Sequence, residues 1–261
     1  MTVLRSEHDV WAWLDLLQAS NVIVISPHLD DAVFSVGGLL SAARGRAEVV
    51  TVFTEARAGQ DDSWARLSGF ANCEAEHKAR REEDALAMNR LGCRFRHLGL
   101  HPGQASQALI SHAAGAIQQD QPDGLERTLV LLPGGAGGPT PTSRLQRLVQ
   151  RLSRRPWGCM PHGEHVLTRD LFWHAWAASP ARIGFYAEIP YAWSQSNEHL
   201  QQRLHATLGC QTETVEYSHN NTEKQLLVEM YPSQMLPIFG SSPAYRRRVL
   251  ARKECLFLAQ R

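Results

Sequence analysis

Short runs of aliphatic and β-branched residues alternate with helical patterns along the first half of the chain, and this alternation limits the folds available to it. Such runs are typical of strands buried on both faces. Strands are predicted at 22–26, 47–54, 94–100 and 128–133. Helices are predicted after Asp30 or Asp31, at 73–91 and at 106–119. Strands that alternate with helices of these lengths predict an α/β fold, with a mainly parallel, doubly wound sheet and helices on both faces.

The pattern is less regular after Pro133. A loop at 134–143 and a basic helix at 144–156 are predicted to form an insertion at about 135–160. A helix at 165–178, a strand that runs into a loop at 183–193 and a helix at 223–236 form a smaller C-terminal portion. Because no linker or repeat interrupts the chain, we expect residues 1–261 to form a single domain.

Composition limits the partners of the chain. Its 27 basic and 26 acidic residues give a net charge of +1, which gives no reason to expect nucleic acid. Its five cysteines form no CxxC pair, which favours a reducing, cytoplasmic compartment. We expect neither a signal peptide nor a membrane span, because no apolar run is long enough. The sequence leaves the oligomeric state open and is compatible with a homo-oligomer.

The strongest chemical signal is the segment Pro27-His28-Leu29-Asp30-Asp31, directly after the first buried strand. The carboxyl ends of parallel strands form the edge of a sheet where ligands bind. Two adjacent carboxylates repel each other unless a cation or a proton compensates, and a nearby histidine makes a divalent metal suitable. The alternative is that one aspartate caps the next helix and His28 is an ordinary residue of the rim.

A second signal is His162-Gly163-Glu164-His165. Alone, such a pair of histidines is more often part of an ordinary surface. Together with the first motif it supplies three metal ligands and a spare carboxylate, and three protein ligands leave a coordination position open for catalysis. The metal would activate water, the free carboxylate would accept its proton and an imidazole would stabilise an oxyanion.

With these motifs in order, the chain resembles the PIG-L/LmbE family of N-acetylglucosaminyl de-N-acetylases. The family motifs HPDDE and HxDH correspond here to PHLDDA and HGEH. Further similar features are Arg80, Glu83, Ala87 and Leu91-Gly92 on one helix, the segment 185–192, Lys224 and the segment 231–234. The resemblance covers roughly residues 20–240, and it implies the Rossmann-like sheet of LmbE-like proteins.

The resemblance also implies roles for individual residues. His28, Asp31 and His165 would bind one divalent ion, Zn²⁺ or alternatively Fe²⁺. Asp30 would be the general base, and His162 would assist the intermediate. The implied enzyme is a metal-dependent amide hydrolase that removes an N-acetyl or other N-acyl group from a small-molecule amino sugar or a natural-product precursor.

The chain departs from the family pattern at three positions of the motifs. Leu29 replaces a proline, Ala32 replaces a glutamate and Glu164 replaces an aspartate. The loss at Ala32 removes a carboxylate that would cap the helix or support a ligand. The longer Glu164 must act from a different geometry, which weakens the assignment of His162.

Four further residues are candidates for substrate binding: Glu55, Arg80, Tyr186 and Glu188. Three of them also have an ordinary structural explanation: a helix cap or salt bridge for Glu55, a pair with Glu83 for Arg80, and packing for Tyr186.

Two other functions compete with the hydrolase. A non-catalytic sugar-binding protein could use the same fold, although it would not need the base. A mononuclear iron oxygenase would use a similar ligand set, but that set resembles one carried by jelly-roll barrels rather than by alternating strands and helices.

Overall fold

The computed structural model of the chain describes residues 1–57, 59, 62–121, 123–135, 162–192, 195–218 and 220–260. Its strands are β1 Thr2–Leu4, β2 Asn21–Ser26, β3 Ala47–Phe53, β4 Arg94–Leu100, β5 Thr128–Pro133, β6 Arg182–Tyr186, β7 Thr212–Tyr217 and β8 Glu254–Ala259. Its helices are α1 Glu7–Leu16, α2 Asp31–Ala42, α3 Ser63–Leu67, α4 Cys73–Leu91, α5 Gln107–Gln119, α6 Gly163–Trp176, α7 Asn197–Leu208, α8 Asn221–Val228, α9 Pro232–Phe239 and α10 Pro243–Leu250. Single 3-10 turns lie at Pro102–Gln104 and Leu125–Arg127.

The strands form one sheet in the order β1-β7-β8-β6-β5-β2-β3-β4. Strand β8 runs antiparallel to its neighbours β6 and β7. The other neighbouring pairs are parallel. The predicted mainly parallel α/β fold is therefore confirmed.

Helices cover both faces of this sheet because alternate residues of its strands point to opposite sides. In β2, Val22 and Val24 belong to one buried cluster, whereas Ile23 and Ile25 belong to another. The first cluster includes residues of α1, α2, α4, α8, α9 and α10. The second includes residues of α5, α6 and α7. The central strands are thus buried on both faces, as their continuous apolar sequence predicted.

Helix α4 has the predicted bounds, residues 73–91. The Asn72 side chain accepts a hydrogen bond from the backbone N–H of Ala75 and caps the first turn. Gly92 ends the helix with a φ of 67°, a left-handed conformation that glycine adopts without steric cost.

The C-terminal portion differs most from the prediction. The single helix predicted at 223–236 is two helices, α8 and α9, because Pro232 has no N–H to continue a helix and begins a new one. Strands β7 and β8 were not predicted. The basic helix expected at 144–156 lies outside the described residues, as does most of the insertion. Within the described ranges, none of the helices has the length and hydropathy needed to cross a bilayer.

A buried ion pair joins this C-terminal portion to helix α2. The backbone of α2 leaves the helical conformation at Val36, with φ −133° and ψ 25°. Beyond this break, the N–H groups of Gly38 and Leu39 each donate to the Glu254 carboxylate over 2.8 Å. Lys224 Nζ lies 2.7 Å from the same carboxylate and also donates to Ser35 O. Strand β8 and helix α8 therefore satisfy the backbone groups that the break in α2 leaves free.

Burial makes this pair sensitive to the loss of one partner. The side chains of Lys224 and Glu254 are each 1% exposed. Burial lowers the pKa of Lys224, and the contact with Glu254 raises it only in part. A charge left there without its partner would keep its desolvation cost and lose its compensation.

We therefore expect Lys224→Met to lower the free energy of unfolding by about 3–5 kcal/mol, measured by urea denaturation. The control is Lys253→Met, because Lys253 forms a 2.9 Å pair with Glu216 but is 53% exposed. Its expected cost is about 0–1 kcal/mol. Equal costs for the two variants would contradict the structural role of the buried pair.

Candidate active site

The two histidine-containing motifs meet at the switch point of the sheet. From β2 the chain continues to β3 on one side, whereas β5 lies on the other side of β2. His28 follows the carboxyl end of β2, and His165 lies in the first turn of α6, the next described helix after β5. Crevices at such switch points are the usual ligand sites of doubly wound sheets.

Local hydrogen bonds shape the turn between β2 and α2. The Ser26 hydroxyl donates to His28 O over 2.6 Å and accepts from the N–H of Ala32. The backbone N–H of His28 donates to Asp31 Oδ2 over 2.9 Å. Asp30 occupies the N-cap position of α2 but makes no capping hydrogen bond. Its carboxylate is thus available for another role.

The three predicted metal ligands have converging atoms. Asp31 Oδ2 lies 3.1 Å from His28 Nδ1 and 3.4 Å from His165 Nε2. Nitrogen and oxygen ligands about 2.0–2.1 Å from a tetrahedral zinc ion would be roughly 3.4 Å apart. His165 Nε2 is buried and has no hydrogen-bond partner among the described residues. The donor atoms therefore fit one divalent ion.

His162 lies beside the same point. Ligand atoms of His28, His162 and His165 all lie within 4.8 Å of one another, so three histidines are an alternative ligand set. We favour the set with Asp31, because its carboxylate oxygen lies 3.1 and 3.4 Å from the two histidine nitrogens and compensates the charge of a cation. The His162 ring centroid is 4.2 Å from that of His165, which leaves His162 close to any group bound at the ion.

A carboxylate supports each of the two histidine ligands. Glu164 Oε2 lies 2.6 Å from His28 Nε2, and Glu188 Oε1 lies 2.5 Å from His165 Nδ1. Such carboxylates orient an imidazole and raise its basicity as a ligand. Glu188 was predicted to bind substrate, but it is only 2% exposed and lies behind His165. Its role is therefore corrected to the positioning of His165.

These carboxylates make the site strongly attractive to a cation. Burial lowers the pKa of His28, but the hydrogen bonds with Asp31 and Glu164 outweigh this effect and raise it to about 10. Burial raises the pKa of Glu164, but its hydrogen bond with His28 and the nearby histidines lower it to about 2. A proton and a metal ion would compete for the same place.

The Asp30 carboxylate forms an ion pair with an arginine. Arg80 donates to Asp30 Oδ1 over 2.9 Å and lies 3.7 Å from Glu76. Burial raises the pKa of Asp30, Arg80 opposes this and the neighbouring Asp31 adds to it, so that the pKa is raised on balance. A carboxylate with a raised pKa is suited to proton transfer.

A cavity of about 230 Å³ opens onto these groups. It is lined by His28, Asp30, Asp31, Phe53, Trp64, Glu76, His77, Arg80, Pro102, His162, Glu164, Tyr191, Gln234 and Ile238. The structure thus brings both motifs and Arg80 to one cavity, as the sequence predicted.

The remaining candidates for substrate binding lie elsewhere. Tyr186 is fully buried and its hydroxyl donates to Ile25 O, so its predicted contact with a sugar is corrected to a structural role. Glu55 is half-exposed and pairs with Arg81 over 2.9 Å. A contact between Glu55 and substrate stays a prediction.

Several residues that line the cavity were not predicted from the sequence. Glu76 precedes Arg80 by one helical turn, and this spacing could have indicated it. Trp64 and His77 belong to no motif, and nothing in their local sequence places them at the cavity.

A family model described as PIG-L, GlcNAc-PI de-N-acetylase, matches residues 23–175. No curated protein matches the sequence.

Several solved structures share the fold. A deacetylase triple mutant (Orf2*T) of the teicoplanin biosynthetic pathway is 24% identical, with a TM-score of 0.65, covering 92% of this chain and 98% of its own. The zinc inhibited form of teicoplanin deacetylase Orf2 is 23% identical, with a TM-score of 0.63 and the same coverage. The A40926 pseudoaglycone deacetylase Dbv21 is 21% identical, with a TM-score of 0.65, covering 93% of this chain and 98% of its own. At these identities the likeness shows the fold.

The contact between Glu188 and His165 can be tested through metal affinity. Glu188→Gln retains an acceptor for the imidazole but removes the negative charge, so we expect zinc affinity to fall roughly tenfold or more. The measurement is a competition titration with a chromophoric chelator. Glu55→Gln is the control, because Glu55 touches neither histidine and should leave zinc affinity unchanged. An unaltered affinity in Glu188→Gln would contradict the positioning role.

Proposed function

Because the chain belongs to the PIG-L family of GlcNAc-PI de-N-acetylases, whose model matches more than half of it, we propose that this site hydrolyses the N-acetyl amide of an amino sugar. Membership confirms the resemblance recognised from the two motifs. The chain is a metal-dependent N-deacetylase acting on amino sugars. We propose which residues bind the metal, which residues act in catalysis, and which amino sugar is the substrate. The main support for this proposal is that Asp31 Oδ2 lies close to both His28 Nδ1 and His165 Nε2, in the cavity that Asp30 also lines.

His28, Asp31 and His165 would hold one divalent ion. Two imidazoles and one carboxylate suit Zn²⁺, which we propose, and Fe²⁺ is the alternative. An ion held there would polarise the amide carbonyl and lower the pKa of the attacking water. Glu164 and Glu188 would keep the two imidazoles in their ligating orientations.

Asp30 is the proposed general base. Its Oδ1 accepts from Arg80, which leaves Oδ2 to take a proton from water as the oxygen bonds to the amide carbon. The same carboxyl then gives the proton to the amide nitrogen as the carbon–nitrogen bond breaks. Acetate and the free amine are the products. Arg80 acts as the positioning residue of this base.

His162 is the proposed donor to the oxyanion. Burial and the neighbouring His165 lower its pKa to about 3, so the ring is neutral and can donate through one nitrogen. Its Nδ1 is buried without a partner among the described residues. Glu164 replaces the family aspartate, a change that weakened the assignment of His162. Glu164 contacts His28, so that His162 can donate to the substrate.

For the substrate we propose a small-molecule amino sugar in a natural-product precursor. The similar structures are described as deacetylases of the teicoplanin pathway and of the A40926 pseudoaglycone. A cytoplasmic location fits a precursor of this kind and is part of the proposal. The oxygenase alternative has no support in a parallel sheet, and a purely sugar-binding protein would have no use for Asp30.

The assignment is tested by acetate release from N-acetylglucosamine and its methyl glycoside. We expect Asp30→Asn to retain bound metal and to lose about 10²–10⁴-fold in kcat. His165→Ala should lose both metal and activity. Metal content is measured by mass spectrometry of the purified variants.

Asp120→Asn is the matched control, because Asp120 is an exposed partner of Arg96 far along the chain from either motif. It should change neither property. Full activity in Asp30→Asn would exclude Asp30 as the base, and wild-type protein without stoichiometric metal would contradict the proposed function.

A further inference from the structure

Arg80 lies between two buried carboxylates. Its Nη2 donates to Asp30 Oδ1 over 2.9 Å, and its Nη1 lies 3.7 Å from Glu76 Oε1. The side chains of Asp30 and Glu76 are exposed by only 4% and 2%, and that of Arg80 by 10%. The remaining guanidinium nitrogen, Nε, is buried without a partner among the described residues. The orientation of the guanidinium therefore depends on its two carboxylate contacts.

Helix α9 in turn fixes the position of Glu76. Gln234 Nε2 donates to Glu76 Oε1 over 3.3 Å and to Ser233 Oγ over 3.0 Å. The first turn of α9 is itself bound to α4, because the Glu83 carboxylate accepts from the Ser233 N–H over 3.0 Å and from the Ser233 hydroxyl over 2.6 Å. Two contacts between α4 and α9 thus limit where the Glu76 carboxylate can move.

A guanidinium can bind a carboxylate in two ways. It can donate to one oxygen, as Arg80 does to Asp30 Oδ1, or it can donate to both oxygens through two parallel N–H groups. The second arrangement would occupy Asp30 Oδ2, the oxygen that we assign to proton transfer. Glu76 opposes that arrangement, because a guanidinium that turned fully towards Asp30 would leave a second buried carboxylate without its counter-charge.

We propose that Glu76 is a positioning residue of the general base: it keeps Arg80 on one oxygen of Asp30, and Gln234 keeps Glu76 in place. The inference rests on the proposed function, because Glu76 has this role only if Asp30 transfers a proton through Oδ2. Both residues lie outside the two metal-binding motifs. Within the described part of the chain, neither forms a hydrogen bond or ion pair with a proposed metal ligand.

The first test is the steady-state kinetics of Glu76→Gln with the methyl glycoside of N-acetylglucosamine. Glutamine keeps the size of the side chain but removes the charge that Arg80 contacts. We expect kcat to fall roughly tenfold to a hundredfold, whereas KM changes by less than about twofold, because only the reacting state loses an interaction. Zinc affinity, measured by competition with a chelator, should stay at the wild-type value. Gln234→Leu should lower kcat as well, by a smaller factor.

A double-mutant cycle separates positioning from a general loss of structure. Lysine in Arg80→Lys supplies one ammonium group, which cannot bind both oxygens of Asp30 in parallel. Arg80→Lys should itself lower kcat, but the addition of Glu76→Gln should lower it further by no more than about twofold. Glu74→Gln is the matched control, because Glu74 is an exposed residue of the same helix and does not line the cavity. It should retain the wild-type kcat.

The outcomes separate this inference from the function on which it rests. Wild-type kcat in Glu76→Gln, or a reduced zinc affinity, would overturn the positioning role. A raised KM with unchanged kcat would overturn it in favour of a direct contact between Glu76 and substrate. A fall in kcat that is equally large in the Arg80→Lys background would show that Glu76 does not act through Arg80. Each of these results leaves the deacetylase intact, whereas absence of acetate release from wild type would contradict the proposed function.

Discussion

The site depends on one oxygen atom, Oδ2 of Asp31. It accepts the backbone N–H of His28, faces His28 Nδ1 and lies 3.4 Å from His165 Nε2. The first two contacts belong to the turn after β2, and the third comes from α6, far along the chain. A buried anion is stable only when its environment supplies positive or partly positive groups. Asp31 therefore determines where the two motifs meet as well as what they can bind.

The position of Asp31 also depends on helix α2, which is stabilised by contacts beyond its first turn. The helix breaks at Val36, and the free N–H groups beyond the break are bound by Glu254 of β8. Lys224 of α8 completes the arrangement on the carbonyl side at Ser35. The Ser35 hydroxyl also accepts the N–H of Ile189, close to Glu188. The C-terminal strand thus contributes to the site by stabilising the helix whose first turn carries Asp31.

The sequence predicts the parts of this molecule that local patterns determine. Helix α4 has the predicted bounds, and β2 and β5 follow from continuous apolar runs. The convergence of His28, Asp31 and His165 could be inferred from the resemblance. By contrast, Lys224 pairs with Glu254, which lies 30 residues further along the chain in β8, the strand that runs antiparallel to its two neighbours. Local sequence does not indicate such a contact. The neighbours of Tyr186, at the end of β6, and of Glu188, just after it, could not be predicted, because local sequence does not show which groups a side chain will contact. Trp64 reaches the cavity only through the packing of α3.

Two of the three departures from the family motifs, Ala32 and Glu164, can be explained together. Ala32 is 2% exposed within the core cluster on one face of the sheet, so a longer, charged side chain there would need a partner in an apolar setting. Its backbone N–H is already satisfied by Ser26. Glu164, one methylene longer than aspartate, reaches across the cavity to His28 Nε2. Ala32 leaves the first turn of α2 without the carboxylate of the family motif, and Glu164 in the first turn of α6 supplies a carboxylate to His28. His28 thus receives the support that a ligating imidazole would need, and His162 Nδ1 stays without a partner among the described residues.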